Sequence, residues 1–515
     1  MSDISDPLPP AGSGAAFGLS SLFSPGVVFQ RHAPICIWGW GVEGATIQVA
    51  LGGASGDAHV KDGVWEAILP ARKEGGPFTL DIRCGDQELS IEGVLVGEVI
   101  LCSGQSNMEV PVSTLSTRDE ILPHAQNDRV RVFVQDIQPV PVPARDVRNG
   151  RWVAATSEEA PDIPALPLMF GLRLQKALGV PVGILAAAVG GTGITSWLPQ
   201  SVFGKYEDLK NYWSAYPWNL DDEAAVYSKW VSDRAAQDTE NARRAASGEA
   251  PLPWNKYLFF GPRGPRCKAQ PAGLYNGEIH PLARFRINGV AWYQGETDAE
   301  EPSHYQRHLK ELIAAWRAAW NLPELRFFIV QIVRYALEAT SENWPAIREA
   351  QSIVADQTDG TFLVPGIDFG DPQDTHPADK DLLAARLSRF VHLSITGADV
   401  PQAPRITRME RAGDGSFRCT FSQPVRVAGD GVSGFELAGA DGIFRKASAR
   451  LSSPCTAVIE AKAEDEELRY LWRGAPDVNV FSEDGLPPLP FRTDAAPAPV
   501  QVEQHYLSSW PNGPG

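Results

Sequence analysis

The sequence predicts an α/β protein in which a parallel sheet of about five strands is flanked by two smaller β domains of the sandwich type. Two patterns lead to this fold class. Between residues 94 and 397, continuously apolar runs alternate with helical patterns, as expected for parallel strands that are covered on both faces. On either side of this range, short alternating runs recur with turn residues between them, which is typical of β-sandwiches. With 515 residues, the chain is long enough for several domains.

The N-terminal β domain is predicted over residues 18–92. Trp38 and Trp40 alternate along its first strand-like segment, which favours core packing over ligand contact. The predicted strands of this domain lie at 36–40, 46–50, 65–69 and 78–82.

The central domain is predicted over residues 93–200 and 271–395, and its first strand is the apolar run 94–102. The helical patterns have apolar residues at i, i+3 and i+4 spacing, and Gly179 suits the end of the first of them. The further predicted strands lie at 182–188, 287–293, 327–333 and 361–364. The predicted helices lie at 167–178, 302–321, 344–356 and 379–393.

Residues 201–270 are too long for a simple connection between two strands of this sheet, so we expect an insertion. The insertion is rich in Trp and Tyr. Two interpretations stay open at this point, because these aromatic residues would suit either a small core of the insertion or a wall on which sugar rings stack. A C-terminal β domain is predicted over 396–497.

Composition excludes several classes of partner. The formal net charge of −17 disfavours nucleic acid and anionic membranes, since phosphate binding needs a basic face. No apolar run is long enough for a transmembrane helix, and residues 1–14 lack the features of a signal peptide. We therefore expect a soluble protein that is cytoplasmic as given, or periplasmic or secreted if a signal peptide was removed. The six cysteines include no CxxC pair, which disfavours a zinc site.

The candidate nucleophile is Ser106, which directly follows the first strand of the central domain. Open α/β sheets place their reactive groups outside the carboxyl ends of the strands. If a helix begins at Ser106, its first backbone N–H groups face whatever the serine attacks. The simpler alternative is an ordinary serine that caps a helix after a buried strand.

A base for this serine is predicted in the loop after the last strand of the sheet. His376 lies there, at the same sheet edge as Ser106, and Asp374 precedes it by two residues. In such a loop a carboxylate can turn back onto the imidazole and hold its tautomer. His304 and His308 have a spacing that suits a metal, but no HExxH pattern accompanies them, so no metal and no cofactor is predicted.

Two further loops at this edge offer donors for an oxyanion. Gly191 follows the second strand in a glycine-rich turn, where a backbone N–H can approach a ligand closely. Gln294 follows the third strand and carries an amide that can donate. Together with the N–H of Ser106, they form the predicted oxyanion hole.

These motifs resemble the SGNH (GDSL-like) hydrolases, and more narrowly the sialate O-acetylesterase-like carbohydrate esterases. The blocks are GQSNM around Ser106, GGT around Gly191, WYQGE around Gln294 and DTHP around His376. The resemblance extends over most of the chain outside 201–270. Its smaller blocks are LFS at 22–24, VFQR at 28–31, YNG at 275–277, GLP at 485–487 and PFR at 490–492.

The resemblance implies a flavodoxin-like SGNH domain with flanking β domains, which removes acetyl groups from sugar hydroxyls. It implies Ser106 as nucleophile, His376 as base and Asp374 as the residue that orients the base. The chain departs from the broad superfamily in two ways. First, it has Asp-x-His where the superfamily has Asp-x-x-His, although the esterase branch shares the Asp-x-His pattern. Second, it has Gln294 where the superfamily has an asparagine donor.

The predicted function is a carbohydrate O-acetylesterase with a Ser-His-Asp mechanism. Its predicted substrate is an acetylated oligosaccharide of plant polysaccharide or an O-acetylated sialic acid. The carboxylate of a sialic acid would favour a basic pocket, which Arg263, Arg266 and Lys268 could form. Two alternatives are a non-catalytic carbohydrate-binding protein on the same scaffold and a metal-dependent deacetylase. The role of Glu296 stays open between support of the Gln294 loop and substrate contact.

Overall fold

The computed structural model describes residues 17–156, 158–252 and 255–495. Trp254 of the predicted insertion and the predicted end of the C-terminal domain at 497 lie outside these ranges. Within them, the chain forms a mixed α/β structure with one large mixed sheet and several smaller β-sheets.

The N-terminal strands form two layers around apolar side chains. Strands β1, β3 and β6 form a three-stranded sheet, while β4, β5 and β7 join the first part of β8. Alternation buries every second residue of β6, including Trp65 and Leu69. The bounds are β1 Phe17–Leu19, β2 Val28–Gln30, β3 Ile35–Gly41, β4 Thr46–Leu51, β5 Ala54–His59, β6 Val64–Leu69, β7 Gly75–Cys84 and β8 Gln87–Gly104.

Strand β8 joins the N-terminal strands to the central sheet. Its first part pairs with β7 in antiparallel fashion, and its second part is parallel to two strands of the central sheet. The predicted boundary between residues 92 and 93 therefore falls inside one strand. Gly93, the first residue of the predicted central domain, lies within the strand at φ +70°.

The central sheet has the strand order β10-β9-β11-β8-β12-β13-β14. Six of these strands are parallel and β10 is antiparallel, so the prediction of about five strands was too low. The prediction missed β9 because Asp128, Arg129 and Arg131 interrupt its apolar residues. The bounds are β9 Asn127–Val134, β10 Arg151–Ala155, β11 Val182–Ala188, β12 Gly289–Tyr293, β13 Arg326–Val330 and β14 Thr361–Val364.

Helices cover this sheet in two groups. Helix α3 packs against α10, and α8 packs against α9. Helix α8 buries an apolar stripe that includes Leu309, Leu312 and Trp316, as its helical spacing requires. The bounds are α1 Ser106–Glu109, α2 Arg118–Ile121, α3 Ala165–Leu178, α4 Gln200–Phe203, α5 Glu207–Ser214, α6 Glu223–Ala246, α7 Lys256–Phe260, α8 Tyr305–Ala319, α9 Trp344–Gln357 and α10 Asp381–Thr396.

The segment 201–270 is largely helical, and several of its aromatic side chains pack on one another. The ring centroid of Trp213 lies 4.3 Å from that of Trp218 and 5.0 Å from that of Phe203. Tyr216 is 4.9 Å from Trp218. These contacts fit the interpretation in which the aromatic residues form a local core.

The C-terminal strands form two four-stranded sheets and one two-stranded sheet around a separate apolar core. The buried Arg348 of α9 donates to the carbonyl oxygens of Arg473 and Gly474, which ties this part to the central sheet. No helix of the described ranges is long and apolar enough to cross a membrane. The bounds are β15 Ile406–Arg411, β16 Phe417–Phe421, β17 Val425–Val427, β18 Phe435–Ala438, β19 Arg445–Lys446, β20 Ala449–Ser453, β21 Thr456–Ile459, β22 Glu467–Tyr470, β23 Val480–Ser482 and β24 Phe491–Arg492.

Candidate active site

Ser106 lies at the carboxyl end of the central strand β8, where α1 begins. The chain turns sharply there because Gly104 adopts φ +137°. A Cβ atom at Gly104 would lie 2.0 Å from the carbonyl oxygen of Tyr293, so only glycine fits between these two strands. The turn places the Ser106 side chain above the sheet edge, as the sequence predicts.

His376 meets this serine from the loop between β14 and α10. Its Nε2 lies 2.7 Å from Ser106 Oγ, which is hydrogen-bond distance. Burial and the nearby positive charge of Lys380 lower the pKa of His376, while Asp374 opposes them. The imidazole is therefore biased toward its neutral form, which can accept the hydroxyl proton.

Asp374 makes a different contact from the one that was predicted. Its Oδ1 accepts a hydrogen bond of 2.7 Å from the backbone N–H of His376. Within the described ranges, no hydrogen bond joins its carboxylate to the imidazole ring. An aspartate readily bonds the backbone N–H two residues further on, and here that local turn competes with the predicted contact.

The glycine turn after β11 lies against Ser106. A Cβ atom at Gly190 would be 3.2 Å from Ser106 Cβ, and the N–H of Gly190 donates to Glu109 over 2.5 Å. Gly191 adopts φ +69°, and a Cβ atom there would be 2.6 Å from a ring carbon of Phe260. One aromatic residue of the insertion therefore packs directly on the predicted oxyanion turn.

Gln294 is fully buried at the end of β12, and its amide group is occupied. Its Nε2 donates to the carbonyl oxygen of Thr192 over 3.2 Å and to the carboxylate of Asp298. Since a carboxamide nitrogen has two hydrogens, neither is left for an oxyanion in this arrangement. This differs from the predicted role, and the reason is Asp298, which also accepts from the N–H of Ile194 over 2.9 Å.

Asp298 is itself perturbed by its surroundings. Burial of the carboxyl group raises its pKa to about 6, although the hydrogen bonds from Gln294 and Ile194 oppose this rise. Through these two hydrogen bonds, the carboxyl group of Asp298 joins the glycine turn to the Gln294 loop.

The prediction overlooked Asn107, which is buried beside the nucleophile. Its amide nitrogen donates to Glu296 over 3.0 Å and to the carbonyl oxygen of Thr375 over 2.9 Å. Its carbonyl oxygen accepts from Lys380 over 2.7 Å. Glu296 thus contacts the residue next to Ser106. The sequence signal was a polar residue directly after Ser106, in the turn that follows a continuously apolar strand.

The three basic residues that could suit a carboxylate differ in their surroundings. Arg263 lies over an aromatic ring of the insertion, and Arg266 pairs with Glu223 at 2.9 Å. The ammonium group of Lys268 lies 4.9 Å from the ring centroid of Phe259. Lys268 makes no salt bridge among the described residues, so it is the best placed of the three to meet an anionic group.

The two helix histidines that were considered as metal ligands face a carboxylate. His308 Nε2 lies 3.2 Å from Asp208, and burial lowers the pKa of His308 to about 4. His304 lies 3.9 Å from the same carboxylate. Over residues 17–156, 158–252 and 255–495, no group of three His, Cys, Asp or Glu side chains is arranged to hold a metal ion.

A serine hydroxyl hydrogen-bonded to an imidazole, at the carboxyl edge of a mostly parallel sheet, defines the class of α/β serine hydrolases. Comparison with known proteins narrows this class. Residues 272–381, which include Gln294 and His376, match a family described as "Carbohydrate esterase, sialic acid-specific acetylesterase".

Proteins with a similar sequence or structure are named as acetylesterases. A carbohydrate acetylesterase from Xanthomonas citri has a solved structure that is 29% identical, has a TM-score of 0.76, and covers 93% of this chain and 100% of its own. Sialate O-acetylesterase of Rattus norvegicus is 27% identical and covers 73% of each chain. That of Mus musculus is 26% identical and covers 82% of each chain. The chain is thus similar to carbohydrate esterases of the sialate O-acetylesterase type, and these similarities confirm the prediction of a carboxylic-ester hydrolase.

Proposed function

We propose that this chain is a serine carbohydrate O-acetylesterase that hydrolyses acetyl esters on sugar hydroxyls, with Ser106 as nucleophile and His376 as general base. The 2.7 Å contact between Ser106 Oγ and His376 Nε2 carries this proposal. Two groups that lie far apart in the sequence are brought to the geometry of proton transfer. Such a contact is needed for acyl transfer and serves no purpose in a carbohydrate-binding protein.

The proposed reaction has two halves. Ser106 Oγ attacks the acetyl carbonyl carbon while His376 Nε2 takes the hydroxyl proton. The tetrahedral intermediate collapses, and His376 returns the proton to the sugar oxygen as the alcohol leaves. Water then attacks the acetyl-enzyme by the same route and releases acetate. Asp374 supports this cycle through the backbone of His376 and through its negative charge, which favours the imidazolium.

The backbone N–H groups of Ser106 and Gly191 are the proposed oxyanion donors. Gln294 would be a third donor only if its amide gave up the bond to Thr192 or to Asp298. Asp298 holds both loops, since it accepts from Gln294 and from Ile194. We therefore propose that Asp298 and Gln294 together shape the oxyanion turn.

We further propose that the central sheet and its helices are a flavodoxin-like SGNH domain. The parallel strands and the position of Ser106 after the central strand β8 support this assignment. The division into a β domain at 18–92, a catalytic domain at 93–200 and 271–395, an insertion at 201–270 and a β domain at 396–497 stays a proposal. The continuous strand β8 makes the first boundary a junction within one sheet.

For the substrate, we propose an acetylated oligosaccharide of plant polysaccharide or an O-acetylated sialic acid. The names of the relatives include sialate and carbohydrate, and they support this range. Lys268, whose ammonium group makes no salt bridge among the described residues, would suit the carboxylate of a sialic acid. To decide between them, we compare the wild type with Lys268→Met. For each protein, kcat and KM are measured with acetylated xylan or xyloglucan fragments and with O-acetylated sialic acids. A carboxylate substrate predicts a higher KM in the variant for the sialic acid alone.

The mechanism is tested with p-nitrophenyl acetate. We expect wild-type hydrolysis that resists EDTA, and a loss on the order of 10³-fold or more in Ser106→Ala. Ser228→Ala, at an exposed position of α6, is the matched control and should keep full activity. Activity that survives in Ser106→Ala would contradict the assigned nucleophile. A wild type that binds acetylated sugars without hydrolysing any ester would favour the non-catalytic alternative, and loss with EDTA would favour the metal-dependent one.

A further inference from the structure

Three buried polar side chains connect the nucleophile turn to the loop that carries His376. The ammonium group of Lys380 donates to Asn107 Oδ1 over 2.7 Å, and Asn107 Nδ2 donates to Glu296 Oε1 over 3.0 Å. Lys380, Asn107 and Glu296 are 1%, 2% and 9% exposed, respectively. We call these three residues the buried brace.

The second amide hydrogen of Asn107 leads to the catalytic loop. It is donated to the carbonyl oxygen of Thr375, the residue before His376, over 2.9 Å. Asn107 is also the residue after Ser106. One side chain therefore joins the backbone beside the nucleophile to the backbone beside the base, and Lys380 orients that side chain by occupying its oxygen.

A buried lysine is costly unless its charge is compensated. Among the described residues Lys380 makes no salt bridge, and Glu296 Oε2 has no hydrogen-bond partner. Burial lowers the pKa of Lys380 to about 8, although Glu296, Asp374 and Asp379 oppose this fall. Its ammonium group is held instead by the hydrogen bond to Asn107 Oδ1. The retained charge therefore indicates a role other than packing.

We propose that Lys380 is a positioning residue of the catalytic centre: through Asn107, its ammonium group holds the His376 loop at hydrogen-bond distance from Ser106. This inference rests on the proposed roles of Ser106 and His376. It goes beyond the serine, base and oxyanion donors because the brace contacts no reacting atom. It acts on the distance between the two loops that carry them.

The charge of Lys380 gives this role a signature that packing lacks. The groups that face His376 are the Ser106 hydroxyl, the Asp374 carboxylate and the Lys380 ammonium. After burial, the positive charge of Lys380 is the main cause that lowers the pKa of His376, and Asp374 raises it. Removal of that charge should therefore raise the pKa of His376 and move the acidic limb of the pH–rate profile to higher pH.

The experiment compares Lys380→Met with Lys380→Arg. The methionine keeps most of the length without the charge, and the arginine keeps the charge. We measure kcat/KM for p-nitrophenyl acetate against pH. We expect Lys380→Met to lose on the order of 10- to 100-fold and to shift its acidic limb to higher pH, because both the loop and the charge are disturbed. Lys380→Arg should keep its limb close to that of the wild type.

Two outcomes would overturn the proposal. One is a Lys380→Met profile that matches the wild type in height and in limb. The other is equal loss in both variants with no movement of the limb, which is the result of a purely structural lysine. Lys446→Met, at an exposed position of β19, controls for the general effect of removing a charge. Thermal unfolding and circular dichroism show that each variant is folded.

A second measurement separates this inference from the proposed function. Diethyl pyrocarbonate modifies neutral imidazole, so the pH dependence of His376 modification, followed by peptide mass spectrometry, reports its protonation without catalysis. We compare Ser106→Ala with the double variant that adds Lys380→Met. We expect the His376 midpoint to rise in the double variant, while exposed His59 behaves alike in both. An unmoved midpoint overturns the inference, whereas esterase activity in Ser106→Ala would overturn only the proposed function.

Discussion

The two sides of the site are built with opposite charges. On the base side, His376 already touches Ser106, and a buried cation, Lys380, lies behind its loop. Next to the proposed oxyanion turn, two carboxyl groups accept hydrogen bonds: Glu109 from the N–H of Gly190, and Asp298 from the amide of Gln294. The cation lowers the pKa of the base, while burial raises the pKa of both carboxyl groups.

This difference indicates how the site divides its work. The base must be neutral before the reaction, and a nearby cation favours that state. Nearby negative charge would oppose the negative charge that develops at the proposed oxyanion turn, and burial, which disfavours the ionised form, raises the pKa of both Asp298 and Glu109. In the described structure His376 is at hydrogen-bond distance from Ser106, whereas the amide of Gln294 is bonded to Thr192 and Asp298.

The largest effect is expected on the base side. His376→Gln should lower kcat/KM for p-nitrophenyl acetate on the order of 10³-fold or more, because glutamine fills similar space but cannot take the serine proton. His392→Gln, on α10, is the matched control and should be close to the wild type. A small loss in His376→Gln would remove the asymmetry between the sides, since the 2.7 Å contact would then not serve proton transfer.

The apolar and alternating patterns were enough to place Ser106 and His376 at one edge of the sheet, because the loops that follow parallel strands all lie at that edge. Side-chain partners were harder to predict. Asp374 bonds a backbone N–H and Gln294 bonds Asp298, which lies four residues further on. Each of these groups has a partner within four residues of it, and sequence spacing does not tell whether the local or the distant partner is bonded.

The fold shows the same limit. The continuously apolar strands were recognised, but β9 was not, because it alternates charged and apolar residues like a surface strand. The domain boundary was expected at Gly93, since the pattern changes there from short alternating runs to a continuously apolar one. The φ of +70° there lets β8 pass from one part of the sheet to the other. The brace could not be predicted because Glu296 and Lys380 lie 189 and 273 residues from Asn107 along the chain.

The second effect concerns the oxyanion side. Gln294→Met keeps the volume and removes the amide. We expect a loss of about 10-fold in kcat, together with a lower melting temperature, because Thr192 O and Asp298 lose a buried donor. Gln331→Met is the matched control, since this buried glutamine lies at the end of the neighbouring strand.

A loss on the order of 10²- to 10³-fold in Gln294→Met without a change in melting temperature would contradict this expectation. It would show that the amide leaves Asp298 during the reaction and donates to the oxyanion. The two sides of the site would then differ in mobility rather than in their number of donors.

The smallest effect is expected from Asp374→Asn. The asparagine oxygen can still accept from the His376 N–H, so the loop keeps its turn, and we expect less than a 10-fold loss at the optimal pH. The Asp374 carboxylate raises the pKa of His376, so its neutralisation lowers that pKa. The acidic limb of kcat/KM should therefore move to lower pH, opposite to the shift expected for Lys380→Met.

Asp371→Asn, in the same loop, is the control, because its carboxylate also accepts a backbone N–H two residues further on, that of Gln373. A loss near 10⁴-fold in Asp374→Asn would contradict the local role, since that size is typical of a carboxylate that holds the imidazole tautomer. The carboxylate would then turn from the backbone to the ring when substrate binds. In that case the base side, like Gln294, would complete its contacts only in the working enzyme.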